Sequence, residues 1–226
     1  MSTNTDSTTA ASLHTDYRST WRHSSLWLYG LMLVASLVAL YVSFMLSAET
    51  LQLARHPNQS LSCDVNAVVS CSTVAESWQA EFIKFAGLSF PNAFFGIAAE
   101  AVFVTIAVIG MVRIVVPRWF ALATWFGGLA ALAYAYWLFS QSLFIINALC
   151  PWCLALMFST TIQFMALTHA TVTVQDLPRA DSRHFSGLRR FADAYYRPNL
   201  DLMIDIAWIA VLVALILIRD GAAIFA

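Results

Sequence analysis

The sequence predicts an all-α membrane protein that crosses the bilayer five times. Three observations lead there. Of 226 residues, 60% are hydrophobic and only 11% are charged, whereas a soluble domain is nearer half apolar and about a quarter charged. Mean hydropathy is +0.70. Five stretches are apolar over the length of a membrane helix, which needs about 20 residues. A chain of this composition cannot cover itself with polar surface, so lipid must solvate much of it. Its net charge of −1 offers no basic footprint, and nucleic acid is not an expected partner.

From the N-terminus, Met1 to Ser25 is polar, Ser/Thr-rich and without an apolar core. It reads as a disordered cytoplasmic tail and not as a cleavable signal peptide. Residues 26–222 then form a single transmembrane domain. The first span runs from Leu26 to Ser47, and the second from Asn92 to Val116, opened by Pro91 and closed before Pro117. The third runs from Arg118 to Phe139, the fourth from Phe144 to Thr168 and the fifth from Leu202 to Ile218. Gln141, Ser142 and Asn147 mark the break between the third and fourth spans.

Basic residues set the orientation. Arg18 and Arg22 precede the first span, and Arg113 and Arg118 flank the second connection. Arg179, Arg183, Arg189, Arg190 and Arg197 lie before the fifth span. With these segments in the cytoplasm, nine of the twelve Lys and Arg are inside, and only Arg55, Lys84 and Arg219 are outside. The N-terminus is then cytoplasmic, the C-terminus is outside, and residues 49–90 form one long external loop of an inner-membrane protein. Within it Trp78, Phe82, Ile83 and Phe85 alternate with Glu76, Gln79, Glu81 and Lys84. That mix predicts a short amphipathic helix, lying on the outer interface or packed on the bundle.

The chain has four cysteines. Cys63 and Cys71 fall in the external loop, and Cys150 and Cys153 form a CPWC motif at the outer start of the fourth span. The orientation therefore puts all four on the oxidising side, where disulfides persist. A C-x-x-C at a helix N-terminus has its thiolate stabilised by unpaired N–H groups and the helix dipole. Pro151 suits an early helical turn. Closing so short a loop stabilises a fold least, which favours redox exchange over a static role. Such a dithiol can meet a thiol from the water side and a lipid-soluble acceptor from the bilayer. Two other readings stay open. The four sulfurs could hold zinc, although the seven-residue gap between Cys63 and Cys71 is unusual for it, so no metal is expected. Either pair, Cys63–Cys71 above all, could be a structural disulfide.

Other candidates carry less. His14, His23, His56, His169 and His184 show no ligand spacing and read as surface residues. Glu100 stands within the second span, where a carboxylate is a functional candidate by default. Asp201 and Asp205 read as interfacial charges, and Trp125, Tyr134, Tyr136, Trp137 and Phe139 as core or lipid-facing residues that could also wall a pocket.

The order of these motifs carries a resemblance. Cys63-Asp64-Val65-Asn66-Ala67-Val68-Val69-Ser70-Cys71-Ser72, then Phe90-Pro91-Asn92-Ala93-Phe94-Phe95-Gly96, then Cys150-Pro151-Trp152-Cys153, resembles the vitamin K epoxide reductase family. The nearest likeness is to its actinobacterial five-span members, here without a fused thioredoxin domain. The wide pair comes first, the reverse of the DsbB-type oxidases. The resemblance covers Leu26 to Ala170 and implies a four-helix bundle around a quinone site, with a fifth transmembrane helix beside it. It implies that Cys150 and Cys153 are the active-site pair, with Cys153 facing the quinone. Cys63 and Cys71 become the shuttle pair, Cys63 meeting the external partner and Cys71 bridging transiently to Cys150. Asn92 matches the family asparagine that binds a quinone oxygen, and Ser77 a serine that helps position the loop. Met157 stands where vertebrate members carry a tyrosine.

The implied activity is thiol oxidation with menaquinone or ubiquinone as acceptor. The electron donor would be a separate thioredoxin-like, DsbA-like extracytoplasmic protein. The alternatives are a quinone or vitamin K epoxide reductase, and a membrane scaffold with structural disulfides.

Overall fold

The computed structural model describes residues 21–56, 60–66, 68–81, 83–85, 87–114, 116–175, 177, 187, 191, 194–196 and 200–224. Five of its helices are long and apolar enough to cross a membrane. They are α1 (Ser25–Arg55), α3 (Asn92–Met111), α4 (Arg118–Gln141), α5 (Pro151–Thr173) and α6 (Leu200–Ile224), with a short α2 (Cys71–Ala75) in the loop between α1 and α3. The chain is thus the all-α, five-helix membrane protein that its composition predicts.

Helix α1 starts where Ser24 accepts the Trp27 N–H, an N-cap that satisfies one orphan donor. Its 31 residues rise about 46 Å, more than the roughly 30 Å hydrocarbon core. The excess carries Glu49 and Arg55 out towards the loop. Of the expected tail, residues 1–20 lie outside the described residues. Trp21–His23 form a 3₁₀ turn, and Ser25 already belongs to α1.

Helix α1 packs against α3 and α5, and α4 packs on α5. Small buried residues on α1, among them Ala35, Ser36, Ala39 and Ser43, let the backbones approach closely, as association in lipid requires. A Cβ on Gly96 would sit 2.7 Å from the Ser43 Oγ, and one on Gly110 would collide with the Tyr29 ring. Ser25 Oγ donates to the Gly110 carbonyl at 2.6 Å. Helix α6 lies against this group through Leu212 and Ile216, which pack with Phe139, Leu143, Leu149 and Met157. Its Trp208 donates to the Tyr136 hydroxyl at 2.7 Å.

Several boundaries differ from expectation for local reasons. Helix α3 stops at Met111 and not at Val116, because Arg113 takes a left-handed conformation (φ 58°) that ends a helix. The fourth membrane helix begins at Pro151 and runs to Thr173, so Phe144 to Cys150 precede it. A π-helical turn (Ser142–Ile146) follows α4, and Asn147 (φ 54°) then reverses the chain. The expected amphipathic helix in the loop is absent among the described residues. A 3₁₀ turn (Trp78–Glu81) leads instead into a hairpin of β1 (Ile83–Phe85) and β2 (Leu88–Phe90), in the register Ile83↔Phe90 and Phe85↔Leu88. Aromatic and β-branched residues favour strands, and Gly87 at φ 78° supplies the turn.

At the end of the bundle away from the cysteines, His23 and His169 are buried and not superficial. Their Nδ1 and Nε2 lie 2.7 Å apart. Asp201, also buried, takes the Arg22 guanidinium at 3.2 Å and His169 Nδ1 at 3.3 Å. Burial of these polar groups is sustained because they partner one another. The five arginines between α5 and α6 lie outside the described residues.

Candidate functional site

The loop between α1 and α3 is shaped by side-chain acceptors on its own backbone. Asp64 Oδ2 accepts the Leu61 N–H at 2.8 Å. Its Oδ1 accepts the Ser72 N–H and the Ser70 hydroxyl, both at 3.0 Å. Burial pushes the Asp64 carboxyl up, but these bonds outweigh it and hold the group below the usual carboxylate value. Asn66 Oδ1 accepts from the Val68 and Val69 N–H groups, and Ser70 caps α2 by accepting from Thr73 N. The loop so folded joins Cys63 and Cys71 in a disulfide, with Cα atoms 5.7 Å apart.

The same loop is sewn to the CPWC segment. Leu149 N donates to the Val68 carbonyl at 2.7 Å, and Ser70 N to the Leu149 carbonyl at 3.0 Å. Cys150 is the N-cap of α5, with Pro151 in the first helical turn and the Cys153 N–H donating to its sulfur at 3.2 Å. Hydrogen bonding by the Cys153 side chain, joined by the Cys153 and Trp152 N–H groups, outweighs burial and lowers the Cys150 thiol from its ordinary value. Cys150 and Cys153 are not disulfide-bonded. The Cys150 sulfur lies 3.3 Å from that of Cys71, and both residues are only 2% exposed. Cys71 is already bonded to Cys63, so the proton in this contact belongs to Cys150.

A residue that the sequence reading passed over completes the cluster. Glu49, 6% exposed, sits on the projecting end of α1 with Oε2 3.4 Å from the Cys63 sulfur. Its Oε1 accepts from the Ser62 hydroxyl and from the Trp152 indole N–H at 3.3 Å. The available signal was an acidic residue at the end of an apolar span. Glu49, Cys63 and Cys71 offer ligand atoms within 4.8 Å of one another, but the two sulfurs are bonded to each other and present no thiolate to a metal.

Inward from the cysteines, α1, α3, α4, α5 and the loop enclose a largely apolar cavity of about 280 Å³. Cys153, Asn92, Ser77, Tyr134, Glu100 and Met157 are in its wall. Asn92 follows Pro91 in the first turn of α3, and its Nδ2 donates to the Gln79 carbonyl, which fixes the carboxamide at the rim. Ser77 Oγ donates to the Val74 carbonyl at 2.6 Å. Met157 is 1% exposed, so the fourth residue after Cys153 brings a thioether to the wall and no phenol. Tyr134 brings a phenol from α4, a placement that sequence spacing did not single out. Glu100 is 3% exposed and its Oε2 has no hydrogen-bond partner among the described residues.

The six expected site residues are thus gathered at one end of the bundle. Three sulfurs form a chain, Cys63–Cys71···Cys150, and the fourth, Cys153, reaches the cavity. The apolar walls and the carboxamide at the rim suit a flat apolar ring with polar carbonyls, as a quinone has.

The Vitamin K epoxide reductase family matches the chain over residues 30–168. The chain belongs to that family. The match takes in all four cysteines and the cavity walls and leaves out α6. No curated protein matches the chain. Membership in the vitamin K epoxide reductase family makes the protein a multi-pass membrane oxidoreductase of the thiol–disulfide and quinone class. The family uses quinone-type substrates and works in general with thioredoxin-like redox partners.

Proposed function

We propose that the protein is a thiol oxidase. It reoxidises a separate, extracytoplasmic thioredoxin-like protein and passes the electrons to a membrane quinone, menaquinone or ubiquinone. In doing so it supports disulfide formation in exported proteins. The observation that carries the reading is the Cys71–Cys150 separation of 3.3 Å, within the range of about 3–3.5 Å for atoms poised to react. It makes one relay of the two cysteine pairs.

In this reading the partner's thiolate attacks Cys63 and displaces Cys71. The partner's second thiol then releases Cys63. The Cys71 thiolate attacks Cys150 of an oxidised Cys150–Cys153 pair, and Cys63 resolves that bridge. Each step is attack of a thiolate on a disulfide. The released Cys150 is held as a thiolate by the Cys153 N–H at the helix start. A quinone in the cavity supplies a two-electron acceptor. Cys153 delivers the electrons to it, while Asn92 orients it and stabilises the negative charge that develops on its oxygen. Ser77 shapes the loop over the cavity. The basic-residue bias supports an outward-facing cysteine end with the N-terminus in the cytoplasm. Met157, where vertebrate relatives have tyrosine, weighs against epoxide reduction as the purpose.

The test uses full-length protein in lipid with a reduced thioredoxin-like protein and a short-chain quinone. Wild-type protein should oxidise the thioredoxin-like protein, and Cys150→Ala and Cys153→Ala should not. Undiminished oxidation in either variant would remove the reading.

A further inference from the structure

We infer that Glu49 is the base that takes the proton from Cys63 when Cys63 resolves the Cys71–Cys150 bridge. The inference rests on the oxidase reading above and extends it by one residue. Its basis is geometric. Glu49 Oε2 lies 3.4 Å from the Cys63 sulfur, and no other carboxylate belongs to the cluster of groups around the sulfurs among the described residues. Its other oxygen is engaged by two groups with distinct uses. Trp152 of the CPWC motif donates to Oε1 at 3.3 Å, tying the carboxylate to the active-site turn. The Ser62 hydroxyl donates to the same oxygen, and Ser62 is exposed. The proton thus has an outward path, taken up on the carboxylate oxygen beside the sulfur and released where the exposed Ser62 hydroxyl meets the other oxygen.

The step needs such a route. Cys63 is 9% exposed in the disulfide-bonded state, so an adjacent carboxylate is better placed than bulk water to take the proton of its thiol as that bond re-forms. Only the thiolate is nucleophilic. In the step, the Cys63–Cys71 bond forms and the Cys71–Cys150 bond breaks. The Cys63 sulfur is oxidised and the Cys150 sulfur reduced. The Cys63 proton passes to Glu49, and Cys150 departs as a thiolate. One negative charge moves from Glu49 to Cys150 and none is created. The product is the pairing seen here, with Cys63 bonded to Cys71 and Cys150 unbonded beside them.

The test is a single turnover. Full-length protein in lipid is reduced with dithiothreitol, freed of reductant and mixed with one equivalent of a short-chain ubiquinone. Disulfides are then mapped by quenched mass spectrometry. Wild-type protein should pass quickly through Cys71–Cys150 to Cys63–Cys71. Glu49→Gln, of equal size but unable to take a proton, should stall at Cys71–Cys150 with Cys63 as a thiol. The delay should be roughly 100-fold or more, the usual worth of a positioned base. Glu49→Asp should clear the bridge faster than Glu49→Gln. Passage to Cys63–Cys71 at the wild-type rate in Glu49→Gln overturns the inference. So does loss of reaction without a Cys71–Cys150 build-up, or equal stalling in both variants, since either marks a packing role. Wild-type protein that forms no disulfide with the quinone would overturn the oxidase reading itself, and this inference with it.

Discussion

The sulfur of Cys150 lies 3.3 Å from that of Cys71, although 79 residues of chain separate them. A contact this short between a thiol and a disulfide is one bond-forming event away from exchange. Removing Cys63 should therefore leave Cys71 to bridge Cys150 with nothing to resolve it. Peptide mapping of a Cys63→Ser variant after quinone oxidation should find Cys71–Cys150 as the dominant disulfide. Finding Cys150–Cys153 instead, with Cys71 still a thiol, would mean that the two pairs do not communicate.

The Cys150 thiol has a defined pH behaviour. Hydrogen bonding by Cys153 lowers it from the ordinary value of 9.0. A depressed folded value contributes stability that is present above the unfolded value and lost as pH falls through the folded one. The thiolate should thus persist below pH 9.0 and disappear on further acidification. Absorbance near 240 nm, taken as the difference between wild-type protein and Cys150→Ser, should titrate below 9.0. A midpoint at or above 9.0 would show that the Cys153 side chain and the N–H groups of the helix start do not stabilise the thiolate.

Asp64 holds the shuttle loop through the Leu61 and Ser72 N–H groups and the Ser70 hydroxyl. Asp64→Ala should cost the loop about 1–3 kcal/mol, read as faster reduction of Cys63–Cys71 by dithiothreitol. The carboxyl is held below its usual 3.8. Its contribution is complete above that value and lost as pH falls below it through the folded value. The acid loosening of the loop should therefore vanish in Asp64→Asn.

Close packing of α1 on α3 leaves no space beside Gly110, where a methyl group would strike the Tyr29 ring. Gly110→Ala should lower bundle stability by about 1–3 kcal/mol, while disulfide pairing in the surviving folded protein stays as in wild type. An unchanged melting temperature would contradict the packing described.

Glu100 presents a contrary case. Its buried Oε2 lacks a partner among the described residues, an arrangement that costs about 1–3 kcal/mol. Glu100→Met combined with Gln163→Leu, which removes the unpartnered oxygen without stranding the buried Gln163 amide that bonds Glu100, should raise the melting temperature and weaken quinone turnover, since the cavity loses a polar group. A lower melting temperature would show that the carboxyl is stabilised in place.

Much of this protein follows from its sequence alone. Apolar composition and span length determined an all-α membrane protein with five crossings, because backbone polar groups in lipid must be satisfied within each helix. The cysteine spacing and the motifs between determined the family resemblance. Boundaries were less legible. The end of α3 depends on a left-handed turn at Arg113, and the approach to α5 on one at Asn147, and hydropathy does not register backbone dihedrals. The hairpin around Gly87 likewise shares its composition with an amphipathic helix.

The basic-residue bias predicts that the two cysteine pairs share one side of the membrane, but it carries nothing about their mutual distance. The family resemblance implied that Cys71, and not Cys63, meets Cys150, and the tertiary structure supplied the 3.3 Å contact. Only it brought Glu49 to Cys63 and Trp152, Tyr134 to the cavity, and His23 to His169. The reason is physical. Local propensities and hydropathy act over a few residues, while these contacts join helices far apart in the chain. They arise from the small residues that let α1 sink between α3 and α5, an outcome of packing that no single stretch of sequence contains.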